Sequence, residues 1–244
     1  MRNASISSAT GGLRSQLIAA AIFVTWLTIH FGGIFAAPVG SWSIPALIAV
    51  LLLQTWLSAG LFIVAHDCMH GALAPGRPAR NRWIGRVALM SYAALDYDRL
   101  LPAHFAHHRH VGTDQDPDFY AANPRAAAPW FVRFFLRYYT HAQLARITVA
   151  ACAYMLLGAS LLNIVAFWAV PAVGAVVQLF FFGTYLPHRH DGTDFTDRHR
   201  ARSSGPGGLI SLIGCFHFGG YHHEHHLHPQ TPWWRLPAMR ETSH

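Results

Sequence analysis

Two long blocks of this sequence contain no charged side chain. Between Arg14 and Asp67 there is no Asp, Glu, Arg or Lys, and residues 147–187 are uncharged as well. A helix needs about 20 consecutive apolar residues to cross the hydrocarbon core of a bilayer. Over the whole chain only 12% of residues are charged, whereas soluble domains contain roughly 25%. The sequence therefore predicts an integral membrane protein.

Each uncharged block is long enough for a pair of spanning helices. The first contains apolar runs at residues 17–37 and 44–65, separated by an uncharged loop, and the second is divided by Pro171 into runs at 147–170 and 172–187. We predict an all-α membrane protein in which four transmembrane helices form two hairpins, at residues 17–65 and 147–187. Residues 1–16 are expected to be a disordered tail, and the whole chain forms one membrane domain.

The arginines predict the orientation of this domain. All eighteen basic residues are arginines, and neither predicted hairpin loop contains one, so they share one side of the membrane, which the positive-inside rule assigns to the cytoplasm. Residues 66–146 and 188–244 then form a cytoplasmic helical cap, with both termini on the same side. Within it, the aromatic and basic run Trp130–Tyr139 predicts either an amphipathic helix in the membrane interface or an ordinary aromatic core helix. The glycine-rich stretch Ser203–Gly208 predicts a turn.

Histidines recur in this cap at helical spacing. On a helix, residues at i, i+3 and i+4 share one face. One histidine alone is usually packed or solvated, but repeated sets of this kind indicate a metal site. The sets are His66 and His70, then His104, His107 and His108, and finally His222, His225 and His226.

Eight such histidines exceed the three or four ligands of a zinc site, so two metals are implied. The cysteines Cys68, Cys152 and Cys215 are not spaced for thiolate ligation. Imidazole binds iron, copper, nickel and zinc alike, which leaves the element open. A site at the surface of an apolar bundle is placed to act on a substrate dissolved in the bilayer, whose bonds are mostly C–H. Oxidising such bonds requires a redox metal and therefore disfavours zinc.

Other classes fit the sequence less well. A metal transporter or a membrane haem protein would carry ligands inside its spans, where only His30 lies, and packing against other helices is its simpler interpretation. An intramembrane zinc protease needs His-Glu-x-x-His; His223 and Glu224 begin that motif, but Leu227 stands where the second histidine should be. No flavin or dinucleotide motif is visible, so electrons must come from another protein. The dispersed arginines argue against nucleic-acid binding.

The histidine motifs resemble those of the integral-membrane fatty acid desaturase and hydroxylase superfamily, and more closely those of the bacterial β-carotene ketolases. The similarity runs from about residue 15 to the C-terminus. The segments that carry it are His66-Asp67-Cys68-Met69-His70-Gly71, residues 102–110, residues 114–119, Leu186-Pro187-His188-Arg189, residues 221–229 and Pro232-Trp233-Trp234. Bacterial carotene hydroxylases have differently spaced histidines. A membrane fatty acid desaturase or hydroxylase is the alternative within the superfamily.

The resemblance implies an enzyme that uses two iron ions and O2 to oxidise C4 of a carotenoid β-ionone ring. Two hydroxylations at one carbon followed by loss of water give the ketone, taking β-carotene to echinenone and canthaxanthin, or zeaxanthin to astaxanthin. It also implies the bacterial inner membrane and an external electron donor of ferredoxin type. A net charge of +7 suits both anionic lipid headgroups and an acidic carrier.

The resemblance further implies a ninth ligand, His188, after the last span. The predicted ligands are His66, His70, His104, His107, His108, His188, His222, His225 and His226. Superfamily members can carry a water-linked asparagine at the position that Thr184 occupies here. Four acids near the motifs are predicted either to hold the second N–H of a ligating imidazole or to pair with arginines such as Arg109 and Arg189: Asp67, Asp114, Asp118 and Glu224. The neighbouring His110, His223 and His228 are predicted either to form hydrogen bonds to ligating imidazoles or to be solvated. His141, His199 and His244 are expected at the surface.

Overall fold

The computed structural model describes residues 2–36, 38–204 and 207–241, with side chains from residue 11 to residue 240. Its regular structure in these ranges is helical, so the prediction of an all-α protein is confirmed. The main helices are α1 (Arg2–Phe35), α2 (Ile44–Met69), α3 (Pro78–Ala93), α4 (Tyr97–His110), α5 (Ala127–Tyr138), α6 (His141–Leu156), α7 (Leu161–His188), α8 (Gly208–Cys215), α9 (His222–Leu227) and α10 (Leu236–Glu241). Gly205 and Pro206 of the predicted turn, and His244, lie outside the described residues.

The first hairpin consists of α1 and α2, joined by a short turn at Val39–Ser41. Inside it, the Trp26 indole N–H donates to Ser58 Oγ at 2.9 Å and the Gln54 amide donates to the Trp26 carbonyl at 3.3 Å. Both bonds are buried, which satisfies polar groups that lipid could not. Gly11–Phe35 and Ile44–Met69 are each long and apolar enough to cross a membrane.

The prediction of a disordered tail is wrong for residues 2–16, because α1 already begins at Arg2; Met1 lies outside the described residues. Packing against the C-terminal segment accounts for part of this order. The Trp234 indole N–H donates to Ser15 Oγ at 3.0 Å, and the Arg14 guanidinium lies 4.3 Å from the centre of the Trp234 ring. A cation over an indole face is attracted by the ring quadrupole.

The second uncharged block is divided differently from the prediction. The turn lies at Gly158, which has φ +96°, and Ser160 caps the next helix by accepting from Asn163 N at 3.1 Å. From there α7 runs for 28 residues to His188 and passes through Pro171 without a break. A π-helical turn at Val165–Ala169 ends two residues before the proline; such a turn changes the backbone bonding register where an N–H is missing. The predicted helix boundary at Pro171 is therefore wrong.

Within the described residues, three helices are consequently long and apolar enough to span a bilayer: Gly11–Phe35, Ile44–Met69 and Leu161–His188. The fourth apolar helix, α6, has 16 residues, fewer than the roughly 20 that a helix needs to cross a bilayer. It is held to the end of α3 by Gln143, which donates to Ala93 O at 2.8 Å, and by Arg146, which donates to Ala94 O at 2.7 Å.

An N-terminal cap and contacts with α3 position the histidine motif of α4. The N-terminus of α4 is capped by Asp96, whose carboxylate accepts from the backbone N–H of Asp98 and Arg99 at 3.0 and 3.2 Å. Asp98 in turn binds Arg82 and Arg86 of α3, each with an N···O distance of 2.6 Å. These contacts satisfy the first turn of α4 and fix it against α3.

Helix α5 covers the side of the cap. It is amphipathic: Trp130 is 1% exposed, whereas Val132 and Leu136 are 54% and 62% exposed. The Trp130 indole N–H donates to Asp118 O at 2.7 Å, and its ring packs against Phe180 of α7. The aromatic run predicted at residues 130–139 is thus one helix with a single buried face.

Candidate metal centre

The helix ends bring all nine predicted ligands together. They form two clusters, in each of which one possible ligand atom per residue lies within 4.8 Å of all the others. We call the first the outer cluster, because three of its members are only half-buried; it contains His66, His70, His104, His108 and His225. The second, the inner cluster, is buried throughout; it contains His107, His188, His222 and His226.

The outer cluster joins the end of α2 to α4 and α9. His70 Nε2 and His104 Nε2 are 2.6 Å apart, and His108 Nε2 and His225 Nε2 are 3.2 Å apart. His66 completes the cluster, with its ring centre 4.4 Å from that of His104. Burial, reinforced by His107, lowers the pKa of His70 to about 4. Burial and the neighbouring imidazoles also hold the pKa of His104 well below its usual value, which favours the neutral form, in which an imidazole can offer a lone pair to a metal.

The inner cluster joins α4, the end of α7 and α9. His222 Nε2 lies 2.9 Å from His188 Nε2 and 3.0 Å from His226 Nε2. The ring centre of His107 is 4.9 Å from that of His188. Burial, with the neighbouring imidazoles, holds the pKa of His222 and His226 well below their usual value.

This convergence fits metal ions better than hydrogen bonding alone. In the inner cluster, His222 Nε2 approaches two other Nε2 atoms at 2.9 and 3.0 Å, yet a neutral imidazole nitrogen either donates one hydrogen bond or accepts. Nitrogens bound to one ion at roughly 2.1 Å are about 3 Å apart at right angles and about 4.2 Å apart across it. The two inner-cluster distances are close to the right-angle value. In the outer cluster the 3.2 Å between His108 Nε2 and His225 Nε2 lies in that range, whereas the 2.6 Å between His70 Nε2 and His104 Nε2 is shorter. The donor set is therefore suited to a metal in each cluster, and the rings of His108 and His226, with centres 4.4 Å apart, place the clusters side by side.

Asp116 holds His107 in position, and it was not among the predicted residues. His107 Nδ1 donates to the Asp116 carboxylate, at 3.0 and 3.1 Å from its two oxygens. The backbone N–H of Gly112 and Asp118 also donate to this carboxylate, at 2.9 Å each. Burial alone would raise the pKa of Asp116, but His107 and these N–H groups bring it below its usual value. An ionised carboxylate on Nδ1 leaves His107 Nε2 free to face the inner cluster.

His188 is held in the same way by a backbone carbonyl. Its Nδ1 donates to Arg200 O at 2.8 Å, which directs Nε2 toward His222. The Arg200 side chain reaches back to donate to Gly112 O at 2.7 Å. Arg200 has φ +41°, an unusual backbone conformation for a residue other than glycine. Nothing in the sequence distinguishes it from the other arginines of the cap.

The four acids predicted near the site have different partners. The Asp67 carboxylate accepts from the backbone N–H of Trp233 at 3.2 Å, so its observed partner is the C-terminal segment and no imidazole. Asp118 lies 4.0 Å from His107 Nδ1 and accepts a short hydrogen bond from Tyr138. Asp114 is exposed. Glu224 accepts from Arg240 Nε at 2.6 Å and from Ser203 Oγ, an arginine pairing, although with neither Arg109 nor Arg189.

The remaining predicted histidines among the described residues lie outside both clusters. His223 Nε2 is 2.8 Å from Asp197 Oδ2, on the half-exposed side of α9. His228 and His141 are exposed, and His110 and His199 are half-buried. His30 is 1% exposed inside the first hairpin, stacked on Trp26 and 3.1 Å from the Tyr154 hydroxyl, which agrees with the packing interpretation.

A cavity of about 320 Å³ lies beside both clusters. Histidines of both clusters line its inner end, together with Thr184, and the rest is lined mainly by apolar side chains of α2 to α7, with Asp118 and Gln143 among the polar members. Thr184 is buried and sits in a second π-helical turn, Phe181–Tyr185. The centre can therefore act on an apolar group placed in this cavity.

Comparisons with known proteins agree with this geometry. Residues 41–149 and 141–243 match the family described as Fatty acid desaturase. The chain is 48% identical over 227 residues to a beta-carotene ketolase of Paracoccus sp. (strain PC1), covering 92% of this chain and 91% of that protein. A beta-carotene ketolase of Paracoccus sp. (strain N81106 / MBIC 01143) is 45% identical over 226 residues, or 93% of this chain and 92% of its own. A zeaxanthin 4-ketolase of Chlamydomonas reinhardtii is 35% identical over 237 residues, 92% of this chain and 52% of that protein.

Proposed function

This chain belongs to the fatty acid desaturase family, and from that premise we propose that it is a carotenoid ketolase, converting the C4 methylene of a β-ionone ring to a ketone. The observation that carries the proposal is the pair of adjacent histidine clusters at the inner end of an apolar cavity. Similarity to beta-carotene ketolases over more than nine-tenths of the chain supports the substrate class.

The protein is an integral membrane protein with three helices able to cross the bilayer. We propose that α6 and α7 form the second hairpin, so that the first two apolar helices and this pair give four membrane-embedded helices. We also propose the inner-membrane orientation with both clusters and all arginines on the cytoplasmic side, because the turns at Val39–Ser41 and Gly158 contain no arginine. The positive-inside rule supports that orientation.

We propose that the nine clustered histidines hold two iron ions, one in each cluster. Iron suits imidazole ligands and, unlike zinc, changes its oxidation state. Bound at this position, the two ions would supply the activation of O2 that oxidation of an unactivated C–H bond requires.

The residues of the chain have three tasks in this proposal. Asp116 and the Arg200 carbonyl hold His107 and His188 in the tautomer that leaves Nε2 free. The apolar cavity lining binds the hydrocarbon ring beside the clusters. Burial of the inner cluster keeps bulk water from the reacting carbon, which limits side reactions.

The overall reaction balances as two oxidations at one carbon. Each hydroxylation inserts one oxygen atom of O2 into a C–H bond, and two electrons and two protons reduce the other atom to water. The second hydroxylation at C4 gives a geminal diol, and loss of water leaves the carbonyl. We propose a ferredoxin-type protein as the electron source, because the +7 net charge would steer an acidic carrier to the cytoplasmic face.

Expression in cells that accumulate β-carotene tests the function. Echinenone and canthaxanthin in the pigment extract are the expected products, and the purified protein should contain two equivalents of iron. Accumulation of zeaxanthin would instead identify a ring hydroxylase. Unchanged pigments with altered acyl chains would identify a lipid desaturase or hydroxylase.

A further inference from the structure

The cavity extends along α7. On α7 its lining residues recur at intervals of three or four, as Val173, Val176, Leu179 and Gly183, followed by Thr184. This spacing places them on one face of the helix. From Val173 to Thr184 the helix rises by about 16 Å at roughly 1.5 Å per residue. The cavity is therefore a slot that runs along α7, and we call it the α7 slot.

Gly183 leaves unfilled space at the inner end of the α7 slot. A side-chain carbon placed on Gly183 would have no heavy atom within 4 Å, although the residue lines the slot. Gly183 is followed by the buried Thr184, and histidines of both clusters line the same cavity. The missing side chain thus leaves space for a ligand group beside the metal centre.

The outer end of the α7 slot opens on the apolar surface of the bundle. Three lining residues from different helices are strongly exposed: Phe135 of α5 at 42%, Leu144 of α6 at 49% and Val173 of α7 at 57%. Residues that line a cavity and are also exposed mark its mouth. Because Val173 lies well within a helix able to cross the bilayer, this mouth faces lipid.

The size of the slot restricts how a carotenoid can use it. Its volume is about 320 Å³, and it runs for about 16 Å along α7 at roughly 1.5 Å per residue. A carotenoid carries a ring at each end of a rigid polyene and is comparable in length to the hydrocarbon core of a bilayer, roughly 30 Å. The slot therefore holds one ring and the adjoining part of the polyene.

We propose that the α7 slot binds the carotenoid end-on from the bilayer, with one ring beside Gly183 and the polyene leaving between Phe135, Leu144 and Val173. This inference rests on the proposed function and adds the route and the binding position of the substrate. The second ring stays in the lipid during each reaction. Both rings are then oxidised only if the molecule leaves the slot and returns reversed.

Tryptophan substitutions at the mouth test the route. We expect Leu144→Trp and Val173→Trp to reduce the β-carotene that copurifies with metal-depleted protein at least tenfold, measured by visible absorbance per mole of protein. Ketone formation by the iron-loaded protein should fall in parallel. Val149→Trp is the matched control, since Val149 is 70% exposed on α6 and does not line the cavity. Mouth variants that bind β-carotene as the control does would overturn the proposal.

A second pair of variants tests the inner end. Gly183→Leu should fill the space beside the metal centre and lower both β-carotene binding and ketone formation at least tenfold, with iron content unchanged. Gly32→Leu is its control, because a side chain at Gly32 on α1 also meets no heavy atom within 4 Å but lies outside the slot. Normal binding by Gly183→Leu would contradict the assigned ring position.

The binding assay separates this proposal from the proposed function. If the wild-type protein forms ketones and the mouth variants do so equally well, the slot is wrong and the ketolase assignment stands. If the wild type forms no ketone, the ketolase assignment fails. β-Carotene binding by the metal-depleted variants then still shows whether the α7 slot is the binding site.

Discussion

The two histidine clusters differ in how firmly their ligands are held. In the inner cluster every ring is buried, and two of the four, His107 and His188, donate Nδ1–H to a partner outside the cluster. In the outer cluster three of the five rings are half-buried, and His70 and His104 contact each other at 2.6 Å between their Nε2 atoms and pack against neighbouring rings, including that of Phe105. Partners of this kind fix the tautomer and orientation of a ligating imidazole.

We infer from this difference that the metal positions in the inner and outer clusters have different roles. Asp116 and the Arg200 carbonyl hold His107 and His188 independently of a metal, whereas Nδ1 of His222 and of His226 is buried without a hydrogen-bond partner. A cluster that faces the cavity with half-buried rings can adjust as substrate and O2 arrive. We therefore expect the inner ion to be the more tightly bound of the two.

Replacement of an inner ligand should have the largest effect. His107→Ala removes the ring that connects α4 to the inner cluster, and we expect ketone formation to fall below detection while the protein remains in the membrane fraction. Pigment extraction and immunoblotting of membranes provide the two measurements. His110→Ala, one turn away on the same helix and in neither cluster, is the control. Normal turnover by His107→Ala would remove this residue from the ligand set.

Removal of the partner of His107 should have the next largest effect. Asp116→Asn keeps the shape of the side chain but loses the charge, and losses of this kind typically weaken metal affinity about 10- to 100-fold. Iron retained after dialysis against a graded chelator series measures the change. Asp114→Asn, an exposed residue of the same loop, should match the wild type. Equal iron retention in both variants would show that Asp116 is dispensable.

Chelation of the wild-type protein should distinguish the two clusters by the rate at which each releases iron. We expect one equivalent of iron to leave several-fold faster than the other, because the outer cluster is the more exposed. Iron release followed over time by absorbance of a ferrous chelate gives both rates. Substitution of an outer ligand, as in His70→Ala, should abolish the fast phase alone. A single phase for both equivalents would contradict the proposed difference.

Counted per ring and per pH unit, acidification of the metal-free protein should have the smallest effect. Burial lowers the folded-state pKa of His70 to about 4 and that of His104 and His225 well below 6.5. Below pH 6.5 the unfolded chain then binds protons that the folded chain does not, so stability falls as the pH falls, by on the order of 1 kcal/mol per pH unit for each such ring. Thermal unfolding between pH 7.5 and 5 tests this.

Protonation of His107 has the opposite effect on the stability of the folded chain in the same experiment. Burial alone would lower its pKa, but Asp116 raises it above the usual value, so His107 stabilises the folded chain at low pH and this contribution is lost as the pH rises. Asp116→Asn should therefore steepen the loss of stability on acidification. An identical pH profile for the variant and the wild type would rule out this contribution.

Much of the architecture followed from local patterns in the chain. Uncharged blocks predicted membrane helices, because a charged side chain in lipid is costly, and helical spacing of histidines predicted the sets on α2, α4 and α9. The structure places all nine expected rings together. The break predicted at Pro171 was wrong because a proline ends a helix only where its missing N–H is not accommodated, and a π-helical turn accommodates it here.

The acids show where local patterns stop being informative. Asp114, Asp116 and Asp118 alternate in one loop, and no spacing rule separates them. Only Asp116 accepts from His107 at hydrogen-bond distance, because the turn that begins at Gly112, with φ +66°, directs its carboxylate inward.

The sequence alone determined which residues are able to bind metal and which segments are able to enter a membrane, since both depend on side-chain chemistry and on spacing within one helix. The tertiary structure decided how the ligands are shared: His107 joins the inner cluster and its neighbour His108 the outer one. Successive residues on a helix point about 100° apart, so their partners depend on where α7 and α9 meet α4. The slot beside them has the same origin, because its walls come from helices that are distant in the chain.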